Sequence, residues 1–85
     1  MHNFMTLSDL PPGESGFVAY ISAQPAMEHR LADLGLVSGT QVTCLARSPS
    51  GDPCAYLIRG SLIALRAADA DGIHLTRSRT EASDS

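Results

Sequence analysis

The sequence HRLADLGLVSGTQV, residues 29–42, contains the junction that decides the fold. A helical pattern ends at Gly35, where a residue without a side chain easily takes the left-handed conformation that follows many helices. A strand pattern begins at Gln41, after a turn that contains a second glycine, Gly39. A helix that stops this abruptly before a strand indicates a small domain in which a helix is inserted between strands.

The helix that leads into this junction lies within AQPAMEHRLADLG, residues 23–35. Pro25 suits the first turn of a helix, because the N–H that proline lacks would have no partner there. Met27, Leu31 and Leu34 follow at i, i+4 and i+7, which places them on one apolar stripe. A helix this short is not stable alone in water, so we expect it to pack against strands.

Short strand patterns on both sides of the helix predict a mainly β protein. Aromatic and β-branched residues mark the first strand, and SPSGDP at 48–53 is a typical hairpin loop. A small, closed or nearly closed five-stranded barrel, with a short helix inserted between strands 1 and 2, accommodates short strands with tight turns. The five predicted strands cover residues 14–22, 41–47, 54–59, 62–66 and 73–75.

The length of 85 residues predicts one small domain. We place it at residues 5–76 and expect the polar tail, residues 77–85, to be disordered, because it offers almost no apolar surface to bury. No apolar run approaches the ~18 residues that a membrane span needs, and the first residues lack the pattern of a signal peptide. We therefore expect a cytoplasmic protein that does not insert into a membrane.

Charge and cysteine content limit the partners further. The net charge is −3 and all six basic residues are arginine, without the basic patch that nucleic-acid binding requires. Nucleic acid is therefore not an expected partner. Cys44 and Cys54 lack CxxC spacing, and in a reducing cytosol we expect both to be free thiols within strands.

Motifs of common enzyme sites do not occur in the sequence. It has no G-x-S-x-G, no H-E-x-x-H and, since it lacks lysine, no phosphate-binding loop with its lysine. The three histidines are scattered along the chain. We predict that the protein is not an enzyme and requires no cofactor.

One face of the helix carries a candidate metal site. His29 and Asp33 are four residues apart, so that their side chains lie on the same face, and Glu28 is adjacent. These ligands alone are too few, because structural zinc takes four. A homodimer would complete the set from a second chain, with Fe²⁺ or Zn²⁺ as the ion. The alternative interpretation is a solvated helix face with an i,i+4 charge pair.

Four stretches, in this order and with this spacing, resemble the FeoA family, the small cytosolic proteins associated with bacterial ferrous iron uptake. The resemblance implies an SH3-like barrel and a role beside FeoB, the membrane transporter for Fe²⁺ whose cytosolic part binds GTP. Members often have arginine at the position of His29, which weakens a general metal site there. The stretches are LSDLPPGESGFVAYI at 7–21, HRLADLGLVSGTQV at 29–42, SPSGDP at 48–53 and YLIRGSLIALRAADADGI at 56–73.

We predict that the junction is a surface for binding a partner protein. Leu36 and Val37 cannot both be hidden behind a tight turn, so that one apolar side chain is available for contact. The alternative is that these side chains plug the mouth of the barrel. The predicted contact residues are Met27, Leu34, Gly35, Leu36, Val37 and Tyr56.

The function that combines these features is regulation of FeoB by a non-catalytic module on its cytosolic side. Two alternatives stay open from the sequence. One is a metal-binding accessory or sensor protein, and the other is an adaptor that recognises a short or proline-rich peptide.

Overall fold

The computed structural model describes residues 5–77. In this part of the chain six strands form one antiparallel sheet in the order β1-β6-β2-β3-β4-β5. A 3₁₀ helix covers Leu7–Asp9, helix α1 covers Pro25–Asp33 and helix α2 covers Ala67–Ala70. The strands are β1 Met5–Thr6, β2 Ser15–Ile21, β3 Gln41–Arg47, β4 Cys54–Ile58, β5 Ser61–Leu65 and β6 Ile73–Thr76.

The mainly β fold with one inserted helix is confirmed, and the number of strands is corrected from five to six. The additional strand is β1, which pairs antiparallel with β6. Two residues are too few to show an alternating pattern, so the sequence alone does not reveal this strand. None of the helices within residues 5–77 is long and apolar enough to cross a membrane. Most of the tail that we expect to be disordered, residues 78–85, lies outside the described residues.

One hydrophobic core lies on the inner face of the sheet. Val42 of β3 and Ile58 of β4 are completely buried, whereas their neighbours along each strand face outwards, because successive side chains of a strand point to opposite faces. Helix α1 contributes Leu31 to the same cluster. The buried apolar residues are Leu7, Leu10, Val18, Leu31, Leu36, Val42, Cys44, Cys54, Tyr56, Ile58, Leu65, Ala70, Ile73 and Leu75.

The end of α1 is a Schellman motif. The amide of Leu36 donates to the carbonyl oxygen of Leu31 at 3.0 Å, and the amide of Gly35 donates to that of Ala32 at 2.9 Å. Gly35 has a φ of 97°, as predicted for the residue that stops the helix. The motif brings the side chains of Leu31 and Leu36 into the core together. It therefore determines which residues of the junction are buried.

The predicted apolar stripe of α1 is narrower than its spacing suggests. Leu31 is buried and Met27 is half-buried against the core, but Leu34 is exposed. Leu34 is the C-cap, one residue beyond the end of α1 at Asp33, and after it the chain turns at Gly35 so that Leu36 occupies the core instead. The helix is thus fixed by one fully buried side chain and by its Schellman motif.

Arg47 connects the end of β3 to the segment around the 3₁₀ helix. Its Nη2 atom donates to the carbonyl oxygens of Ser8 at 3.3 Å and Leu10 at 3.1 Å. We expect Arg47→Met to lower the free energy of unfolding by ~1–2 kcal/mol, because two hydrogen bonds from a charged donor are lost while the aliphatic stem is kept. Urea denaturation measures the change.

The matched control for this prediction is Arg30→Met on the exposed side of α1. We expect Arg30→Met to change the free energy of unfolding by less than ~0.5 kcal/mol, as is usual for surface substitutions. Equal losses in the two variants would mean that the hydrogen bonds of Arg47 contribute nothing to stability.

Candidate functional site

The junction places two of its apolar side chains at the surface and one in the core. The exposed fractions are 44% for Val37, 36% for Leu34 and 0% for Leu36. The prediction that one side chain of the Leu36–Val37 pair faces outwards is therefore met by Val37. Leu36 is corrected from a contact residue to a core residue, because its place in the Schellman motif directs it against Leu31.

Tyr56 is also corrected from a contact residue to a core residue. It is only 1% exposed, and its hydroxyl donates to the carbonyl oxygen of Leu7 at 3.4 Å. Its neighbour Leu57 lies on the opposite face of β4 and is 40% exposed. Position 57, rather than position 56, therefore presents an apolar side chain at the surface.

Val37 and Leu57 line an open groove of about 580 Å³ between the turn after α1 and the β4–β5 hairpin. Thr43 of β3 and Arg59 of the hairpin turn also line it, so the groove combines apolar walls with hydroxyl groups and one positive charge. Leu62 is opposite Leu57 in the pairing of β4 with β5 and is 68% exposed. The apolar surface therefore continues from the groove onto β5, and we call these three side chains the Val37–Leu57–Leu62 patch.

Hydrogen bonds hold the turn that carries Val37. The amide of Gly39 donates to the carbonyl oxygen of Val18 at 2.7 Å, and the amide of Val18 donates to that of Thr40 at 2.8 Å. The hydroxyl of Thr40 donates to the carbonyl oxygen of Gly35 at 2.9 Å and accepts from the amide of Val37 at 3.3 Å. Because its backbone is fixed on both sides, this wall of the groove is preorganised for contact with a partner.

The opposite wall contacts the helix end through Arg59. Arg59 and Gly60 form the two-residue turn of the β4–β5 hairpin, and both have positive φ, 52° and 83°. The stem of Arg59 lies over Gly35 so closely that a Cβ atom on Gly35 would be 2.6 Å from Cδ of Arg59. Gly35 therefore serves two purposes, since it ends the helix and makes room for the side chain that joins the two walls.

The three predicted metal ligands, Glu28, His29 and Asp33, lie on the exposed side of α1. Among residues 5–77, no group of three or more His, Cys, Asp and Glu side chains is arranged to hold a metal ion. A site that uses His29 and Asp33 would therefore need ligands from outside the described part of one chain. Its completion by a second chain stays a prediction.

Both cysteines are buried free thiols, as predicted. Burial raises the pKa of the Cys44 thiol, and the neighbouring Cys54 thiol raises it further. Since the thiolate is the form that binds metals and attacks electrophiles, Cys44 is a poor ligand and a poor nucleophile near neutral pH. Its role in the structure is to fill the core beside Tyr56.

Burial also raises the pKa of the Tyr56 hydroxyl above the ordinary tyrosine value of 10.0. A group with a raised pKa stabilises the folded state fully below its unfolded pKa and loses this contribution as the pH rises. We expect the free energy of unfolding to fall above about pH 10, by up to ~1.4 kcal/mol per pH unit from this residue. Tyr56→Phe should reduce that slope, which urea denaturation from about pH 8 to about pH 11 measures.

Tyr20→Phe is the control for the alkaline prediction, because Tyr20 is 50% exposed on the surface. A reduced slope in Tyr56→Phe alone would assign the effect to the buried hydroxyl. A reductant in all samples keeps Cys44 and Cys54 as thiols. Identical slopes for the wild type and Tyr56→Phe would contradict the role given to the buried hydroxyl.

Both the sequence and the fold of this chain match known proteins. A family model described as the FeoA domain matches residues 5–77. The solution NMR structure of an FeoA protein from Chlorobium tepidum has a TM-score of 0.81 and 38% identity, over 86% of this chain and 70% of that chain. Comparison with curated proteins gives no significant match.

Two further structures show how widely the architecture occurs. FeoA from Stenotrophomonas maltophilia, an SH3 domain protein crystallised with zinc, has a TM-score of 0.75 and 33% identity, over 84% of this chain and 88% of that chain. A manganese-dependent transcriptional repressor has a TM-score of 0.82 at 24% identity, over 92% of this chain and 44% of that chain, which shows a common fold alone. The SH3-like fold implied by the resemblance is thereby confirmed.

Proposed function

This chain belongs to the FeoA domain family, and on that premise we propose that it regulates the FeoB transporter by binding to its cytosolic side. Membership of the family implies a part in bacterial ferrous iron transport. The finer proposal concerns the mode of action. The chain acts through surface contact and carries out no bond-making chemistry of its own.

The observation that supports this proposal most strongly is the Val37–Leu57–Leu62 patch beside a preorganised groove. All three side chains are at least 40% exposed, whereas most apolar side chains on the inner face of the sheet are buried. Covering apolar surface stabilises a complex by about 25 cal/mol for each Å² removed from water. A partner with apolar side chains therefore gains most by seating them in this groove.

Regulation requires that the chain distinguish two states of the transporter. A ligand shifts an equilibrium only by the difference between its affinities for the two states. A difference of ~1–3 kcal/mol, which is about 5–150-fold in affinity, is typical of coupling between sites. A small domain with a preorganised groove can supply such a difference if FeoB exposes the segment that fits the groove in only one of its nucleotide states.

Co-purification tests the proposal. The tagged full chain is mixed with detergent-solubilised membranes that contain FeoB from the same organism, with and without guanine nucleotides and Fe²⁺. We expect FeoB to be retained on the tagged chain and the retained amount to depend on the nucleotide. Absence of FeoB from the retained material under every condition would refute the proposal.

A second candidate, a transition-metal-binding accessory protein, is supported by the zinc complex of the relative from Stenotrophomonas maltophilia. In this chain its ligands would be His29, Asp33 and Glu28, completed across a homodimer. Calorimetry with Zn²⁺ and with Fe²⁺ tests it. Stoichiometric binding that is lost in His29→Ala, together with metal-dependent dimerisation, would support this candidate, and absence of binding at micromolar concentrations would exclude it.

A further inference from the structure

Strand β5 lies at the end of the sheet. Within residues 5–77 it pairs with β4 and has no strand on its other side. The opposite end of the sheet is β1, which has only two residues. Edges of sheets attract additional strands, because their outer N–H and C=O groups have no partner in the sheet. The long edge of this domain is therefore the outer side of β5.

The hairpin geometry identifies the main-chain groups on this edge. Ile58 is opposite Ser61 and closes the two-residue turn, so these two residues exchange both of their hydrogen bonds. Because antiparallel pairs alternate, Ile63 and Leu65 also bond to β4, whereas Leu62 and Ala64 direct their main-chain groups away from the sheet. Both outward residues are exposed, Leu62 by 68%. The N–H and C=O groups of Leu62 and Ala64 are therefore available to pair with another strand.

The edge lacks the features by which proteins usually prevent pairing. Such features are proline, charged side chains within the strand, bulges and covering loops. The sequence of β5 is SLIAL, which contains neither proline nor charge. Its pairing with β4 runs without a register shift. The outer side of β5 is therefore suited to accept a strand.

Two arginines indicate the chemistry of the strand that fits. Arg59 precedes β5 and Arg66 follows it, and both are exposed. Within residues 5–77 neither guanidinium forms an ion pair. Arg66 lies at one end of this edge and the turn that carries Arg59 lies at the other, with the stem of Arg59 extending towards Gly35. Carboxylates at both ends of an extended segment would therefore be favoured.

The same charges make a second copy of the chain a poor occupant. A two-fold antiparallel pairing would place Leu62 of one copy opposite Ala64 of the other. It would also bring Arg66 of each copy beside the Arg59–Gly60 turn of its neighbour. Like charges in such proximity oppose association.

We propose that the outer edge of β5 binds an extended segment of a partner protein as an additional strand, with an apolar or β-branched centre and an acidic residue at each end. This inference goes beyond the proposed function, because main-chain pairing at β5 is independent of which protein supplies the segment. The edge adjoins the Val37–Leu57–Leu62 patch through Leu62, so one partner can occupy both.

NMR titration of the ¹⁵N-labelled full chain tests the proposal with two blocked heptapeptides of the same centre. The first is Glu-Val-Thr-Val-Thr-Val-Glu, about 20 Å long as a strand, and the second has lysine in place of both glutamates. We expect the acidic peptide to shift the amide resonances of Leu62 and Ala64 and to bind at least about tenfold more tightly than the lysine peptide.

Two variants distinguish main-chain strand pairing from general electrostatic attraction between the peptide and the domain. Ala64→Pro removes an outward N–H without breaking a hydrogen bond to β4, and we expect it to abolish binding. Arg66→Glu leaves one positive and one negative charge at the two ends of the edge, so we expect it to abolish the preference for the acidic peptide. The ¹⁵N spectrum of each variant verifies that the domain is folded.

Several results would overturn the proposal. They are equal binding of the two peptides, absence of binding by both, and unchanged binding in folded Ala64→Pro. A dimer of the wild-type chain in sedimentation that Ala64→Pro converts to a monomer would also overturn it, because a second copy would then be the occupant. Failure of peptide binding would leave co-purification with FeoB unaffected, so the two proposals fail separately.

Discussion

Leu36→Ala is expected to lower the free energy of unfolding by about 2–5 kcal/mol, whereas Val37→Ala should change it by less than ~0.5 kcal/mol. The two residues are adjacent, but Leu36 is fully buried and Val37 is 44% exposed. Removing the Leu36 side chain leaves a cavity beside Leu31 at the Schellman motif. Removing part of Val37 leaves no cavity, because solvent already reaches it.

Urea denaturation of the two variants measures this contrast. The dependence on urea concentration should stay the same, so that the difference appears in the midpoint. Comparable losses in Leu36→Ala and Val37→Ala would contradict the orientation of the junction. The groove would then lose its first wall, since Val37 would not face outwards.

Val37→Asp is expected to reduce the affinity for FeoB by roughly 100-fold or more, because a carboxylate in an apolar interface is desolvated without a partner. The free energy of unfolding should change by less than about 1 kcal/mol, because the side chain is at the surface. Affinity is measured by titrating the purified full chain into FeoB in detergent, and stability by urea denaturation.

Leu45→Asp provides a closely matched control for Val37→Asp. Leu45 is also 44% exposed, but it lies on β3 outside the groove. The two variants add the same charge to the chain, so that general electrostatic repulsion affects them equally. A similar loss of affinity in both, or no loss in Val37→Asp, would show that the groove is not the contact surface.

Local chain geometry explains why much of the fold was predictable. The stop at Gly35 follows from the conformational freedom of glycine, and its φ of 97° bears this out. The boundaries of β3, Gln41–Arg47, agree with the prediction because turn-forming residues flank the strand on both sides. The two-residue strand β1 was missed, since its only signal is pairing with β6, which is distant in the sequence.

The candidate site was predicted less completely, because exposure depends on which face of a strand points inwards. Both faces of β4 are apolar in CAYLI, so alternation does not reveal that Tyr56 is buried and Leu57 exposed. Leu62 escaped notice for the same reason in β5. Burial of Leu36 could have been inferred, since a Schellman motif usually brings the residue after the left-handed glycine against the preceding turn.

Gly35 determines the shape of the groove more than any other single residue of the junction. The turn at Gly35 directs Leu36 into the core and leaves Val37 at the surface. Because Gly35 has no side chain, the stem of Arg59 from the hairpin can pack directly over it. The helix end and the hairpin are therefore held in contact by the residue that terminates the helix. A surface built in this way is rigid before the partner arrives, so that little conformational entropy is lost on binding.

The most direct test of the central claim is the affinity of the purified chain for full-length FeoB in lipid nanodiscs, measured separately with GDP and with a non-hydrolysable GTP analogue. We expect saturable binding in both states, with affinities that differ by about 5–150-fold. Absence of binding in both states, or equal affinities in the two states, would contradict regulation of the transporter through surface contact.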